Sequence, residues 1–244
     1  MKFNKQILFA ISACICLGQV SISIAVAQQA TASQRPLYFI ENRGQYDEQI
    51  KYRVQGVSGT VSLTQSEIIF SFLKKVEAPA TTADSVSTNS PTSSQLIFSC
   101  KFKDANQKAK LIVSKKLPGR VNYYVGPQEN WLENVPVAEE LVYKDLYDGV
   151  DLQVGLLNGS PNFKFLVDKT ANPSKMGFSY AGIDKLTLGD ENSLIVSTAF
   201  GEFHEPLPAI YYKTEGALIP ITADFSIKDD FTLEMNIKNK KEIE

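Results

Sequence analysis

The stretch Phe231-Thr-Leu233-Glu-Met235-Asn-Ile237 places an apolar side chain at every odd position. Successive side chains of a β-strand point to opposite faces, so this period buries one face and wets the other. The period returns in Ile68/Phe70/Phe72, Leu152/Val154/Leu156, Phe163/Phe165/Val167, Leu186/Leu188, Leu194/Val196 and Phe225/Ile227. Turn chemistry falls between these runs: Ser58-Gly59, Asn158-Gly159, Gly189-Asp190-Glu191-Asn192, Glu215-Gly216 and Asp229-Asp230. No long segment repeats apolar residues at helical spacing, and a single helical turn is expected only over Asn172–Met176, opened by Pro173. Strands with one wet face belong to antiparallel sheets. The expectation is an all-β fold, an antiparallel β-sandwich-like domain with many short strands.

Working outward, the whole chain has 244 residues, 43% of them hydrophobic. That suffices for a core without disulfide or metal staples. Lys plus Arg number 25 against 27 Asp plus Glu, for a net charge of −2, so nothing points to nucleic acid. The one histidine, His204, excludes a His cluster for zinc.

The first thirty residues stand apart. Lys2 and Lys5 precede an apolar run from Ile7 to Ala27, which ends in Ala25-Val26-Ala27 before polar Gln28 and Gln29. A charged start, an apolar middle and an A-x-A end define a secretory signal peptide, expected over residues 1–27. The polar interruptions Ser12, Gln19, Ser21 and Ser23 and the A-x-A end favour cleavage over a retained anchor. Ile11-Ser12-Ala13-Cys14 resembles a lipobox, but the apolar run continues past Cys14, so lipid anchoring there is the lesser reading. Cleavage after Ala27 leaves 217 of the 244 residues, shifts the net charge from −2 to −4 and leaves Cys100 as the sole thiol. Cys100 lies in a strand-like run and reads as a small buried hydrophobe. Localisation is expected to be extracytoplasmic (secreted, periplasmic or at the cell surface), with no membrane span once the signal is removed.

Residues 28–36 form a short polar leader, 37–237 the all-β domain and 238–244 a charged tail. Within the domain, residues 78–95 read APATTADSVSTNSPTSSQ, where 14 of 18 are Ala, Pro, Ser or Thr. With almost no bulky apolar group, this insert cannot offset the entropy of ordering and is expected to be disordered.

Carboxylates are the only candidate catalysts present in number: Glu41, Asp47, Glu48, Glu139, Glu140, Asp145, Asp148 and Asp151. Two acids straddling a glycosidic bond could hydrolyse it, but only spatial separation decides that. Adjacent acids on a strand face opposite ways, so Glu139-Glu140 is a poor pair. Asp148-Gly-Val-Asp151 and Gly189-Asp190-Glu191-Asn192 offer oxygen ligands, yet neither follows a calcium-loop pattern, and both read as turns. His204, beside Glu202 and Glu205, reads as structural. No phosphate loop, nucleophile elbow or nucleotide fingerprint is present. Catalytic residues, metal ligands and cofactors are therefore expected to be none. The aromatics Tyr123, Tyr124, Trp131, Tyr143, Tyr147, Tyr211 and Tyr212 could line a sugar- or peptide-binding face if exposed together.

Several blocks carry a family resemblance. Phe39-Ile-Glu41-Asn42-Arg-Gly44-Gln45-Tyr46 resembles the F-x-E-N-x-G-Q-[WY] opening of a bacterial N-terminal domain of unknown function, common ahead of SBBP-type β-propeller repeats in secreted, surface-associated proteins. Gly119-Arg-Val-Asn122-Tyr123-Tyr124-Val-Gly126 is similar to its G-x-x-N-Y-[FY]-x-G stretch, with Trp131 shortly after. Val142-Tyr143-Lys-Asp145-Leu-Tyr147-Asp-Gly149-Val-Asp151 is similar to its V-x-Y-x-x-[LV]-Y-x-G-[IV]-D block. Segments at Phe163–Tyr180 and Phe200–Tyr211 continue the likeness, which runs from Tyr38 to Ile237. A departure lies at Lys169-Thr-Ala-Asn172-Pro-Ser174, where the family usually has a glycine turn. The resemblance implies an all-β extracytoplasmic module without established catalytic or cofactor residues. Its motif positions Glu41, Asn42, Gly44, Gln45, Asn122, Tyr123, Tyr147, Gly149 and Asp151 become the candidate ligand-binding residues. The expected function is a secreted or cell-surface, non-catalytic β module for adhesion, envelope structure or ligand binding, its partner an extracellular glycan or protein. The alternatives are a carbohydrate-active hydrolase using paired carboxylates, and the N-terminal piece of a β-propeller surface protein.

Overall fold

The computed structural model describes residues 37–56, 59–75, 93–157, 160–169, 171, 176–190 and 192–237. The signal at 1–27, the leader at 28–36, most of the insert, the turn expected over Asn172–Met176 except for Met176 itself, and the tail at 238–244 lie outside these residues.

The first half of the chain supplies β1 (Phe39–Glu41), β2 (Tyr52–Gln55), β3 (Gly59–Leu63), β4 (Glu67–Lys75), β5 (Ser93–Phe102), β6 (Lys110–Tyr123), β7 (Leu132–Tyr147) and β8 (Val150–Leu157). The second supplies β9 (Ser160–Asp168), β10 (Met176–Ala181), β11 (Lys185–Leu188), β12 (Ser193–Thr198), β13 (Gly201–Pro206), β14 (Ala209–Thr214), β15 (Ala217–Pro220), β16 (Ala223–Lys228) and β17 (Thr232–Ile237). The described residues hold no α-helix, only a 3-10 turn at Gln128–Asn130, and no helix long and apolar enough to cross a membrane. β5 takes in Ser93–Gln95, the last three residues assigned to the insert, because they pair with Lys75, Lys74 and Leu73.

Alternation decides which side chains go inward. In β17 Leu233 and Met235 are buried, and in β9 Phe163, Phe165 and Val167 are buried while their neighbours stay partly exposed. Each large apolar side chain fully withdrawn from water contributes about 1.5–3 kcal/mol.

Fourteen strands form one sheet in the order β15-β14-β9-β8-β7-β1-β2-β3-β4-β5-β10-β17-β16, with β6 alongside β7. β7 is the pivot. Its 16 residues pair with β6 on one edge; on the other, Val137 and Ala138 meet β1, while Leu141–Tyr143 and Tyr147 meet β8. The sheet thus divides at β7 into two wings that pack face to face. Phe102 of β5 meets Tyr143 of β7 with ring centroids 4.8 Å apart, and Phe178 of β10 lies 5.6 Å from both Phe163 and Phe165 of β9. The path ends at β15 and β16, which share no ladder, so the sheet is open rather than a closed barrel. β9 and β14 run parallel, which makes the sheet mixed. A second, three-stranded sheet, β11-β12-β13, adds Leu186, Leu194 and Val196 to the same core and stacks Phe203 on Phe72 at 4.7 Å.

Candidate functional site

The motif residues separate into two groups at opposite ends of β7. From Val135 to Tyr147 the strand runs roughly 40 Å at about 3.3 Å per residue, so the two groups do not form one site.

The first group folds the chain after β1 into a self-bonded loop. Asn42 donates from Nδ2 to the carbonyls of Asp47 (2.8 Å) and Ile50 (2.7 Å), and its Oδ1 accepts the amides of Gly44 (3.0 Å) and Tyr46 (3.2 Å). Gln45 donates to the Glu41 carbonyl at 2.6 Å and accepts the Arg43 amide at 2.7 Å. Gly44 turns at φ +109°, a conformation that favours glycine. The Glu41 carboxylate pairs with the Arg43 guanidinium at 3.3 Å. The loop delivers Tyr46, whose ring meets Tyr123 edge-on at 6.1 Å and carries the Arg53 guanidinium 4.1 Å from its centroid. The two hydroxyls are 2.5 Å apart. Burial first, and then the Tyr123 hydroxyl, push the Tyr46 phenol well above its ordinary value. Two separate motif blocks thereby meet over a small apolar cluster of Ile40, Val135 and Val137, with Tyr123, Val121 and Leu132 packed against it.

That contact uses one face of the β6–β7 hairpin and leaves the other free. Val121, Tyr123 and Leu132 turn toward the cluster, whereas Arg120, Asn122, Tyr124, Trp131, Glu133 and Asn134 are all exposed. Tyr124 and Trp131 are 52% and 41% exposed, their centroids 4.9 Å apart and their planes at 62°. Their polar ends are tied down: Asn122 Nδ2 donates to the Tyr124 hydroxyl (3.1 Å), which donates to Glu133 Oε1 (3.1 Å), and Trp131 Nε1 donates to the Gly126 carbonyl (3.2 Å). The Glu133 carboxylate raises the Tyr124 phenol above its usual range. Asn122 also accepts the amide of Asn134, a residue held at φ +58°. The hairpin end is a pre-ordered aromatic pair framed by hydrogen-bonding groups.

The second group, Tyr147, Gly149 and Asp151, is built into the framework. The Tyr147 hydroxyl donates to the carbonyls of Lys103 (2.9 Å) and Gly177 (3.2 Å), and Tyr143 donates to the Thr64 carbonyl at 2.8 Å, so both motif tyrosines tie one wing to the other. Gly149 sits in the β7–β8 turn at φ +67°, and a Cβ there would come 2.8 Å from that of Ala171. Asp151 is only 2% exposed; it accepts the amide of Asp145, at a bulge where φ is +55°, and ion pairs from Lys144 (2.5 Å) and Lys213 (3.1 Å). Burial alone would raise its pKa, but the bonds from Lys144, Asp145 and Lys213 outweigh it and hold the carboxyl below its ordinary value.

Of the seven aromatics, Tyr143 and Tyr212 are core residues, Tyr147 is an inter-wing tie, Tyr123 packs on Tyr46 and Tyr211 is half-buried, which leaves Tyr124 and Trp131 as the exposed pair. The acids do not converge: Glu139 goes to Lys115 (2.7 Å) and Glu140 to Gln153 (2.6 Å), and Asp148 is exposed in a turn. Among the described residues no three His, Cys, Asp or Glu side chains cluster to hold a metal. Cys100 is buried, and burial pushes its thiol well above the ordinary value.

Sequence reading passed over Glu205. It shares the inward face of β13 with Phe203, meets Tyr180 by a side-chain hydrogen bond, and is raised by burial to about 7. The period-two spacing from Phe203 to Glu205 was the available signal. The Arg53–Tyr46 contact had none, since it depends on a loop folding back over β2.

Comparison with known proteins gives one positive result: the family model described as "Domain of unknown function (DUF7948)" matches residues 39–243. No curated protein and no solved structure matches the chain.

Proposed function

We propose that this chain, which belongs to the family of a domain of unknown function (DUF7948), is an exported β module that works by binding rather than catalysis. Its contact surface is the free face of the β6–β7 hairpin. The observation that carries the reading is the exposed Tyr124–Trp131 pair, fixed through its polar ends by Asn122, Glu133 and Gly126. Large apolar rings held in place at a surface lose little freedom on binding, which is how aromatic anchors work at interfaces. The start of the chain supports export, since residues 1–27 have the charged, apolar and A-x-A parts of a signal peptide. The motif likeness supports a bacterial, surface-associated setting beside SBBP-type propeller repeats.

Expression of the full chain in a bacterial host tests this. The exported product is expected to begin at Gln28 and to sediment with the cell envelope. A Tyr124→Ala/Trp131→Ala double variant is expected to be released into the medium with an unchanged melting temperature. Equal retention of both proteins would refute the assigned surface. Reproducible glycan hydrolysis lost on substituting Glu41, Asp148 or Asp151 would refute binding without catalysis.

A further inference from the structure

We infer that the free face of the β6–β7 hairpin binds a chain of β-linked, equatorially substituted hexopyranose units, an inference that rests on the binding role proposed above. Size argues first. Two half-exposed rings offer roughly 200 Å² of apolar surface. A standard protein interface buries about 800 Å² on each partner, a little over half of it apolar, so the two rings supply only about half the apolar surface that one needs.

The chemistry of the rim argues next. Asn122 and Glu133, both exposed, stand beside the rings and bond the Tyr124 hydroxyl. Glu133 uses Oε1 for that bond, so its second carboxylate oxygen offers an acceptor at the edge of the pair, and the Asn122 carboxamide adds polar character to the same rim. A β-linked sugar in the gluco configuration matches this arrangement. Its axial C–H groups form an apolar face that can lie on a ring, while its equatorial hydroxyls point outward to a polar rim. Because the ring planes meet at 62° in an edge-on pair, they are not one flat platform. One sugar can rest on Trp131 while the next turns its edge to Tyr124. An α-linked glucan coils and does not present successive flat units to the two rings.

Trp131 is the only tryptophan of the chain, so its fluorescence reports directly on occupancy. The exported protein is titrated with cellohexaose, chitohexaose and, as the α-linked control, maltohexaose. Expected is a saturable change in emission with at least one β-linked hexamer and none with maltohexaose. Loss of one stacking ring in Tyr124→Ala is expected to weaken that binding about tenfold, and Glu133→Gln to weaken it several-fold, both at unchanged melting temperature. Emission unmoved by either β-linked hexamer, or a response equal in Tyr124→Ala, overturns the assignment. If envelope retention still requires the two rings in that case, the saccharide assignment alone falls; if retention is also indifferent to them, the binding role falls with it.

Discussion

At the scale of single residues, the buried polar groups set how the fold responds to pH and substitution. In the folded protein Glu205 keeps its proton up to about pH 7, whereas an ordinary glutamate releases it near 4.5. Between those values the folded state binds more protons than the unfolded, so stability falls as pH rises through this window and is fullest below it. The loss amounts to at most about 3 kcal/mol. Urea titrations at pH 4.5, 6 and 7.5 should show it, and Glu205→Gln, which can still bond Tyr180, should flatten the dependence. Asp151 contributes with the opposite sign: its depressed pKa adds stability above the ordinary carboxyl range, which is lost as pH falls toward the folded value. Asn42 matters for another reason. Its amide closes the opening loop through several backbone bonds, so Asn42→Ala should cost about 2 kcal/mol in a urea melt.

At the scale of elements, β7 and its two hairpins carry the design. The β7–β8 turn needs a positive φ at Gly149 and has no room for a Cβ beside Ala171, so Gly149→Ala should destabilise by about 2 kcal/mol. β6 presents the opposite problem, a 14-residue strand paired only with β7 among the described residues. An open edge of that length invites pairing with another chain. Lys110, Lys115, Lys116, Arg120 and Pro118, together with the register shifts along its ladder, oppose this. Replacing Lys110 and Lys116 by Val should drive self-association, seen as a larger sedimentation coefficient; an unchanged coefficient would argue that the bulges alone protect the edge.

Alternation such as Phe163/Phe165/Val167 is a local property, and it named the strands and their inward faces. Pairing partners are not local. Nothing in Leu132–Tyr147 announces a strand that serves both wings, or that β9 and β14 run parallel. The site was half legible for the same reason. Tyr123 and Tyr124 are adjacent, so one had to point inward and the other outward, but only the packing of Tyr46 on Tyr123 decides which. The motif at Tyr147, Gly149 and Asp151 looked equivalent to the opening motif in sequence; its partners are backbone carbonyls, Ala171 and two lysines of the framework.

At the scale of the whole molecule, the two wings of the large sheet and the small second sheet share one core, and the hairpin end of β6–β7 carries its aromatic pair into solvent. The motif tyrosines at 143 and 147 hold the wings together, whereas the rings at 124 and 131 are exposed; the proposed contact surface is thus separate from the residues that carry stability. The most direct test is the binding isotherm of the purified protein on isolated bacterial envelopes, with the Tyr124→Ala/Trp131→Ala variant measured beside it. The account predicts saturable binding by the natural sequence and at least a tenfold loss in the variant at the same melting temperature. Superimposable isotherms would contradict it.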